Sequence, residues 1–467
     1  MDINSTFQII IFNDQRTNMQ TAAKKVINGW AMYDWANSAY NLVITSTIFP
    51  AYYVAITRAA NPTDKSYVYF FGRRFINTAL QDYALAVVFV LVSFTSPVLS
   101  SIADYRRNKK NWMKAFCYIG SAACIALFWF TKENSVISQG ELEFGIIAFA
   151  IAALGFWGSL VFYNSYLPDI AAPEDQDRIS AKGYALGYIG SVLLQLICFV
   201  IILKPTWFGF SENGTTAVRL SFLLTGLWWL GFAQITFNVL PLPSKKERAV
   251  KKNVLVSGFH ELGLVWKQLG QMPSLRRFLL SFFLYSMGVQ TVMLVAAGFG
   301  AKEIFPDPDD QPKLLATIII IQLVAMVGAW LMSRLSKRIG NWWVITIAVI
   351  VWIGICVGAY LVKTQTMFYV LAAVVGLVMG GIQSMSRSTY SKLMPVTEDT
   401  TSFFSFYDVT EKVALVIGIF VFGFVEEQSG SMRNSVFALG SFFIASIIAL
   451  LYTKPAYERR MAELKKV

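Results

Sequence analysis

The chain has 467 residues, of which 55% are hydrophobic, 15% aromatic and only 15% charged, and its mean hydropathy is +0.52. A soluble domain usually carries about a quarter charged residues, so composition excludes an ordinary soluble protein and indicates one that lives in a bilayer. The net charge of +12 would suggest a nucleic-acid partner if it formed one patch, but it is spread over the turns between apolar runs.

Residues 1–29 read as a cytoplasmic N-terminal tail. FQIIIF (7–12) is too short for the apolar core of a signal peptide and no small-residue cleavage site follows it; Met19 is a second candidate start. A spanning helix needs roughly 20 predominantly apolar residues. Twelve stretches meet that test: 30–55, 82–103, 112–131, 143–166, 183–203, 219–240, 278–299, 314–335, 342–362, 367–391, 405–425 and 434–453. They predict an all-α integral membrane protein of twelve transmembrane helices, with one six-helix half over 30–240 and another over 278–453. Between the halves lies a polar linker, 241–277, holding KKERAVKK and then VLVSGFHELGLVWKQLG, whose apolar periodicity is that of an interfacial amphipathic helix. Residues 454–467 close the chain as a second cytoplasmic tail. About 29 of the 40 basic residues fall on the side shared by the linker and both termini, which makes that side cytoplasmic.

The two halves repeat one another. SSIADYRRNKKNW (100–112) follows the second span and SRLSKRIGNWW (333–343) the eighth; both are small, polar, basic turns ending in Asn-Trp. YLPDIAAPEDQDRIS (166–180) follows the fourth span and KLMPVTEDTTSFFS (392–405) the tenth; both place a proline past the helix end and then an acidic stretch. Ser100 and Ser333 are 233 apart, Pro168 and Pro395 are 227 apart, and two pairs at nearly one offset argue for duplication.

The first basic turn resembles the loop between spans two and three of the major facilitator superfamily, roughly Gly-x-x-x-Asp-Arg-x-Gly-Arg-Arg. Asp104 matches its aspartate and Arg106, Arg107, Lys109 and Lys110 its basic tail, while Ser100 replaces the glycine. Asp104, Arg106 and Arg107 are therefore gate candidates: the aspartate can sit against a neighbouring helix N-terminus and the basic residues can pair across the gate. In the second half Lys337 stands where the aspartate would be, which puts a mirror-image latch in doubt.

GWAMYDWANSAYNLVITSTIFPAYY (29–53) resembles more closely the opening of one major facilitator branch, which includes the yeast vacuolar, autophagy-related amino-acid effluxers and many bacterial permeases. VFYNSYLPDIA (161–171), ISAKGYALGYIGS (179–191), GGIQSMSRSTYSKLMP (380–395) and FFSFYDVTEK (403–412) match the same branch, so the resemblance covers nearly the whole chain. It implies the twelve-span fold and transport by alternating access. The compact loops resemble the bacterial members, which implies a bacterial inner membrane. Fold alone names no substrate.

Within span one, Asp34, Asn37, Ser38, Asn41 and Thr45 fall at i, i+3, i+4, i+7 and i+11 and predict one polar stripe. A stripe facing lipid is prohibitively costly, so it faces protein or an aqueous cavity. The resemblance implies that spans one, four, seven and ten line that cavity. Asn37, Asn41, Tyr163, Asn164, Gln290, Gln383 and Arg387 are the substrate and cavity candidates. Asp34 and Glu411 are the proton-coupling candidates, with Asp34 alternatively pairing with a basic residue at the gate. Gln383 and Arg387, at i and i+4, could hold a carboxylate or phosphate together, and Asp408 and Lys412 form another i,i+4 pair.

No cofactor or metal is expected. The four cysteines lie in apolar runs without metal spacing, the single histidine, His260, is in the linker, and neither GxxxxGK[ST] nor HExxH occurs. The expected function is a secondary transporter, not an enzyme, moving a small polar solute such as an amino acid or small peptide, acting as a monomer among membrane lipid with no nucleic-acid partner. A lipid or amphiphile flippase on the same fold is the alternative, and a polytopic membrane enzyme a more distant one.

Overall fold

The structure is a computed structural model that describes residues 20–58, 66–132, 137–212, 214–241, 254–307 and 310–466. The N-terminal residues before 20 and the KKERAVKK stretch lie outside the described residues. Twelve long helices follow one another. Spans 1 to 6 are Lys24–Thr57, Asn77–Arg106, Lys109–Trp129, Gln139–Asn164, Gln176–Leu203 and Thr216–Val239. Spans 7 to 12 are Pro273–Glu303, Gln311–Ile339, Asn341–Leu361, Gln365–Leu393, Thr400–Ser429 and Met432–Lys466.

Eleven of these helices are long and apolar enough to cross a membrane. Span 11 is long enough, at 30 residues, but carries Asp408, Glu411 and Lys412 in its first half and two glutamates near its end. Its neighbours make that tolerable: Asp408 and Lys412 are buried against other helices rather than offered to lipid.

The duplication is visible in the backbone. The basic turns after spans 2 and 8 each reverse direction through one residue of positive φ, Arg107 (φ 52°) and Gly340 (φ 84°), which are 233 positions apart. Spans 2 and 11 pack together at one seam between the halves, and spans 5 and 8 at the other. The linker stretch Val254–Gly270 is helical; it packs on spans 2, 7 and 11, with Trp266 against Phe406 at 5.6 Å. The helix of span 12 runs on through Pro455 and takes the expected C-terminal tail with it.

Two features depart from the sequence reading. A β-hairpin, β1 Tyr67–Phe70 with β2 Arg73–Ile76, sits between spans 1 and 2, turning on Phe71 (φ 46°) and Gly72 (φ 74°). A two-residue turn with both φ positive matches the twist of the paired strands; Phe71 is an uncommon residue there, so no turn signal marked it. The second departure is in span 1, where Asn41–Thr47 forms a π-helical stretch. The hydroxyls of Ser46 and Thr47 donate to the carbonyls five residues back, Asn41 (2.9 Å) and Leu42 (2.6 Å). Pro50 follows, and its ring crowds the carbonyl four residues before it while offering no N–H in return, which favours a widened turn at this place. The stripe expected from Asp34 through Thr45 therefore runs in one register only to Asn41.

Candidate functional site

The polar residues gather where the two halves meet, on the linker side of the membrane. On span 1, Trp30 and Asp34 share a face one turn apart. Span 4 ends with Tyr163 and Asn164. Span 5 contributes Ser180, Gly183 and Tyr184, and span 10 brings Arg387 from the second half.

Arg387 is 1% exposed, and burying an unpaired guanidinium would cost many kcal/mol. Its donors are placed accordingly. Nε donates to the Ser180 hydroxyl (2.9 Å), Nη2 to the Ser180 carbonyl (2.8 Å) and Nη1 to Asn164 Oδ1 (3.1 Å), with Asp34 Oδ2 at 3.5 Å from Nη1. The same Asp34 oxygen accepts the Tyr163 hydroxyl at 2.7 Å. The rings of Tyr184, Trp30 and Tyr163 surround the cation at 4.2, 4.9 and 5.5 Å, a favourable arrangement of aromatic faces about a positive charge. Trp30 is fixed in turn by stacking on Tyr163 at 4.6 Å and donating its indole N–H to the Tyr163 carbonyl.

Gly183 makes the cluster sterically possible. A Cβ there would meet Asp34 Oδ2 at 2.5 Å, Tyr163 Oη at 2.9 Å and Arg387 Nη2 at 3.0 Å. One turn on, a Cβ at Gly187 would meet the Ser38 hydroxyl at 2.6 Å. Span 5 thus lies against span 1 along a glycine edge.

Farther from the linker a second polar layer is more open. Gln383 accepts the Tyr188 hydroxyl at 2.7 Å and points its amide toward Met293. Gln290 of span 7 donates to Glu411 at 2.6 Å. Gln290, Gln383, Glu411, Tyr184 and Asn41 are half-buried. Asn37 is buried, with its Oδ1 3.4 Å from the Ser38 hydroxyl and its Nδ2 without a partner among the described residues. Asp408 and Lys412 form a buried ion pair; the Ser96 hydroxyl of span 2 lies 3.4 Å from Asp408, and Lys412 sits over the Trp157 ring.

At the linker end two seams close the halves. At the first, Asp104 accepts the backbone N–H groups of Thr401 (3.2 Å) and Ser402 (2.6 Å) at the start of span 11. Arg107 pairs with Glu398, and Lys109 reaches Asp169 and the Thr400 hydroxyl. Arg106 is exposed and makes no ion pair among the described residues. At the second seam Asp177, at the start of span 5, accepts Lys392 (2.6 Å), Asn341 (2.7 Å) and the Ser336 hydroxyl (2.9 Å). The mirror image of the first seam is absent: the carboxylate lies on span 5 rather than on span 8.

The structure thus brings Asp34, Tyr163, Asn164 and Arg387 into one cluster, places Gln290, Gln383 and Glu411 in a layer beyond it, and leaves Arg106 apart. Sequence reasoning missed Trp30, Ser180, Gly183 and Tyr184, and all of the second seam. The signal for the first group was the glycine spacing in ISAKGYALGYIGS, which marks a helix edge made for close approach. A cavity of about 480 Å³ between spans 9 and 10, lined by Val351, Ile355 and Leu371 among others, is apolar and remote from all of these groups.

Comparison with known proteins identifies the family and the fold. The family model described as "Vacuole effluxer Atg22 like" matches residues 22–463. The MFS-type transporter YxiO of Bacillus subtilis is 28% identical over 426 residues, covering 91% of this chain and 94% of the relative. Autophagy-related protein 22 of Eremothecium gossypii is 24% identical over 477 residues, covering 91% and 90%. Among solved structures, the proton:xylose symporter XylE superposes with a TM-score of 0.67 at 13% identity, covering 91% of this chain and 94% of that one. The twelve helices therefore have the major facilitator fold, in two pseudo-symmetric six-helix halves.

Proposed function

The chain belongs to the Atg22-like family of major facilitator transporters, in its bacterial type, and from that membership we propose that it is a secondary transporter that moves a small polar solute by alternating access. Its work is transport rather than catalysis, and it is an integral multi-pass membrane protein. The solute class is that of amino acids or small peptides, transport is driven by protons, and the working unit is a monomer in a bacterial cytoplasmic membrane. The linker and both termini face the cytoplasm, following the concentration of basic residues on that side.

One observation carries this reading. Between described residues, every hydrogen bond joining the two halves lies in the linker-facing half of the spans, with Arg387, Asp34 and Ser180 at its centre. A protein closed at one end by breakable polar contacts is what alternating access requires of one of its states. Asp34 is suited to couple that closure to a proton, because neutralising it removes the charge that holds Arg387 across the halves. The polar and aromatic inner layer favours a small polar solute over a lipid.

The test is flux into liposomes holding the purified protein, with an imposed pH gradient and a panel of amino acids, dipeptides, sugars and lipids. At least one amino acid or dipeptide is expected to move in a gradient-dependent way, and Asp34→Asn is expected to abolish uptake or its pH dependence. No gradient-dependent flux of any solute would overturn the reading. Unaltered transport by the variant would reduce Asp34 to a structural partner.

A further inference from the structure

Among the described residues five charged side chains lie in the inner part of the membrane region between the halves, and four of them are matched. Asp34 faces Arg387, and Asp408 holds Lys412. Glu411 is the remainder. It accepts the Gln290 amide, yet no ion pair to it occurs among the described residues. Lys412 is next to it in sequence but turns its ammonium to Asp408 and the Trp157 ring. The charged and titratable groups around Glu411 are Asp408, Lys412 and Tyr407 on its own span, Arg387 on span 10, Tyr184 on span 5 and Tyr285 on span 7. Asp34 lies beyond Arg387, and spans 2 and 4 contribute Ser96 and Trp157 through the Asp408–Lys412 pair.

An unmatched carboxylate at this depth costs several kcal/mol unless something neutralises it. Glu411 is half-buried, so it is open to a visitor, and the neutral hydroxyls of Tyr184, Tyr285 and Tyr407 near it supply no positive charge of their own. We propose that Glu411 is the recognition group for a positively charged part of the transported solute, an ammonium or guanidinium, and that a proton takes the same carboxylate when the solute is absent. This rests on the transport reading above and names the chemistry of its substrate.

The bookkeeping is that of an exchange. When the cation arrives, the proton leaves Glu411 for water, and when the cation departs a proton returns. A monocationic solute exchanged for one proton moves no net charge, whereas a zwitterion exchanged for one proton moves one charge. The Asp34–Arg387 and Asp408–Lys412 pairs each hold a cation already and need none from the solute.

The test needs no transport, so its failure is separable from failure of the transport reading. Dicyclohexylcarbodiimide adds to protonated carboxyl groups in a membrane to give a stable N-acylurea that peptide mass mapping locates. The purified protein in liposomes is labelled across a pH series, at constant ionic strength, with butylguanidinium chloride, sodium chloride or sodium butanesulfonate added, none of which reacts with the carbodiimide. Glu411 is expected to be labelled, more slowly as pH rises, and severalfold more slowly with butylguanidinium than with either sodium salt. Asp82, exposed on span 2, serves as the internal reference and is expected to be indifferent to the choice of salt. Glu411→Gln is expected to remove the adduct at that position and leave the others. Labelling that ignores butylguanidinium would make Glu411 a proton site alone and overturn the proposal. Equal slowing at Asp82 would assign the effect to the bilayer, and no labelling of Glu411 at any pH would show it closed to visitors; either also overturns it.

Discussion

At the seam of spans 2 and 11 the first half offers a carboxylate, Asp104, to two backbone N–H groups; at the seam of spans 5 and 8 it offers another, Asp177, to three side chains. Duplication alone would have put the second carboxylate on span 8. Instead both acids belong to the first half, and the second half supplies donors at both seams. The place of contact has been kept while its polarity has been reassigned. The physical difference matters. Backbone donors at a helix N-terminus bring a fixed partial positive charge that no side-chain substitution on span 11 removes. The span 5 seam depends on Lys392, Asn341 and Ser336, each of which can be deleted singly.

The largest effect expected from this contrast follows removal of Lys392. The side chain of Asp177 is 5% exposed and that of Lys392 11%, so Lys392→Met leaves a buried carboxylate with only neutral donors. Breaking such a pair from one side costs about 3–5 kcal/mol. A marked fall in the melting temperature of the detergent-purified protein is expected, with much of it regained when Asp177→Asn is added. A single variant that melts like the parent would show that the seam is not held by that charge.

Asp104→Asn is expected to have an intermediate effect. Asparagine keeps one acceptor oxygen for Thr401 or Ser402 but loses the charge that answers the helix N-terminus, a change of about 1–2 kcal/mol in the closed state. Turnover is expected to fall while the apparent affinity for solute holds. Ser402→Ala leaves both backbone donors in place, so it is not expected to reproduce the effect. If it did, the seam would rest on that hydroxyl, and the contrast with span 5 would collapse.

Much of this was legible in the sequence. Twelve apolar runs specify twelve helices because a bilayer accepts few other solutions. Asp34 and Arg387 stood out because ionisable groups in apolar runs require a partner, and Asp104 because of its motif. That Asp34 and Arg387 are partners was not legible: they are 353 residues apart, and nothing local records which helices face each other. Asp177 was hidden for a different reason. It lies in an acidic, solvent-like stretch, and only the packing of spans 5, 8 and 10 makes it buried. The π-helical stretch at Asn41–Thr47 escaped because a strict 3.6-residue period was carried past it toward Pro50. The hairpin escaped because its turn uses Phe71 where asparagine or aspartate would have announced it.

The smallest effect concerns Arg107, and it tests whether the span 2 seam has a rim distinct from its centre. Arg107, whose side chain is 16% exposed, pairs with Glu398, 57% exposed, so the pair meets water on the glutamate's side, whereas Asp104 one turn away is buried. Water and salt reach the glutamate and screen the pair, which places it nearer the about 0–1 kcal/mol of exposed pairs than the cost of a buried one. Arg107→Ala is therefore expected to change the melting temperature and turnover little at physiological ionic strength, and less still as salt is raised. Its backbone argues in the same direction. Arg107 has a positive φ, as Gly340 does at the equivalent place in the second half, so Arg107→Gly is expected to be at least as well tolerated as Arg107→Ala, since glycine relieves the strained φ that alanine retains. Should Arg107→Ala and Arg107→Gly both slow transport as much as Asp104→Asn, the charge on Arg107 would belong to the gate itself, and the seam would close by an ion pair on its rim as well as by helix capping at its centre.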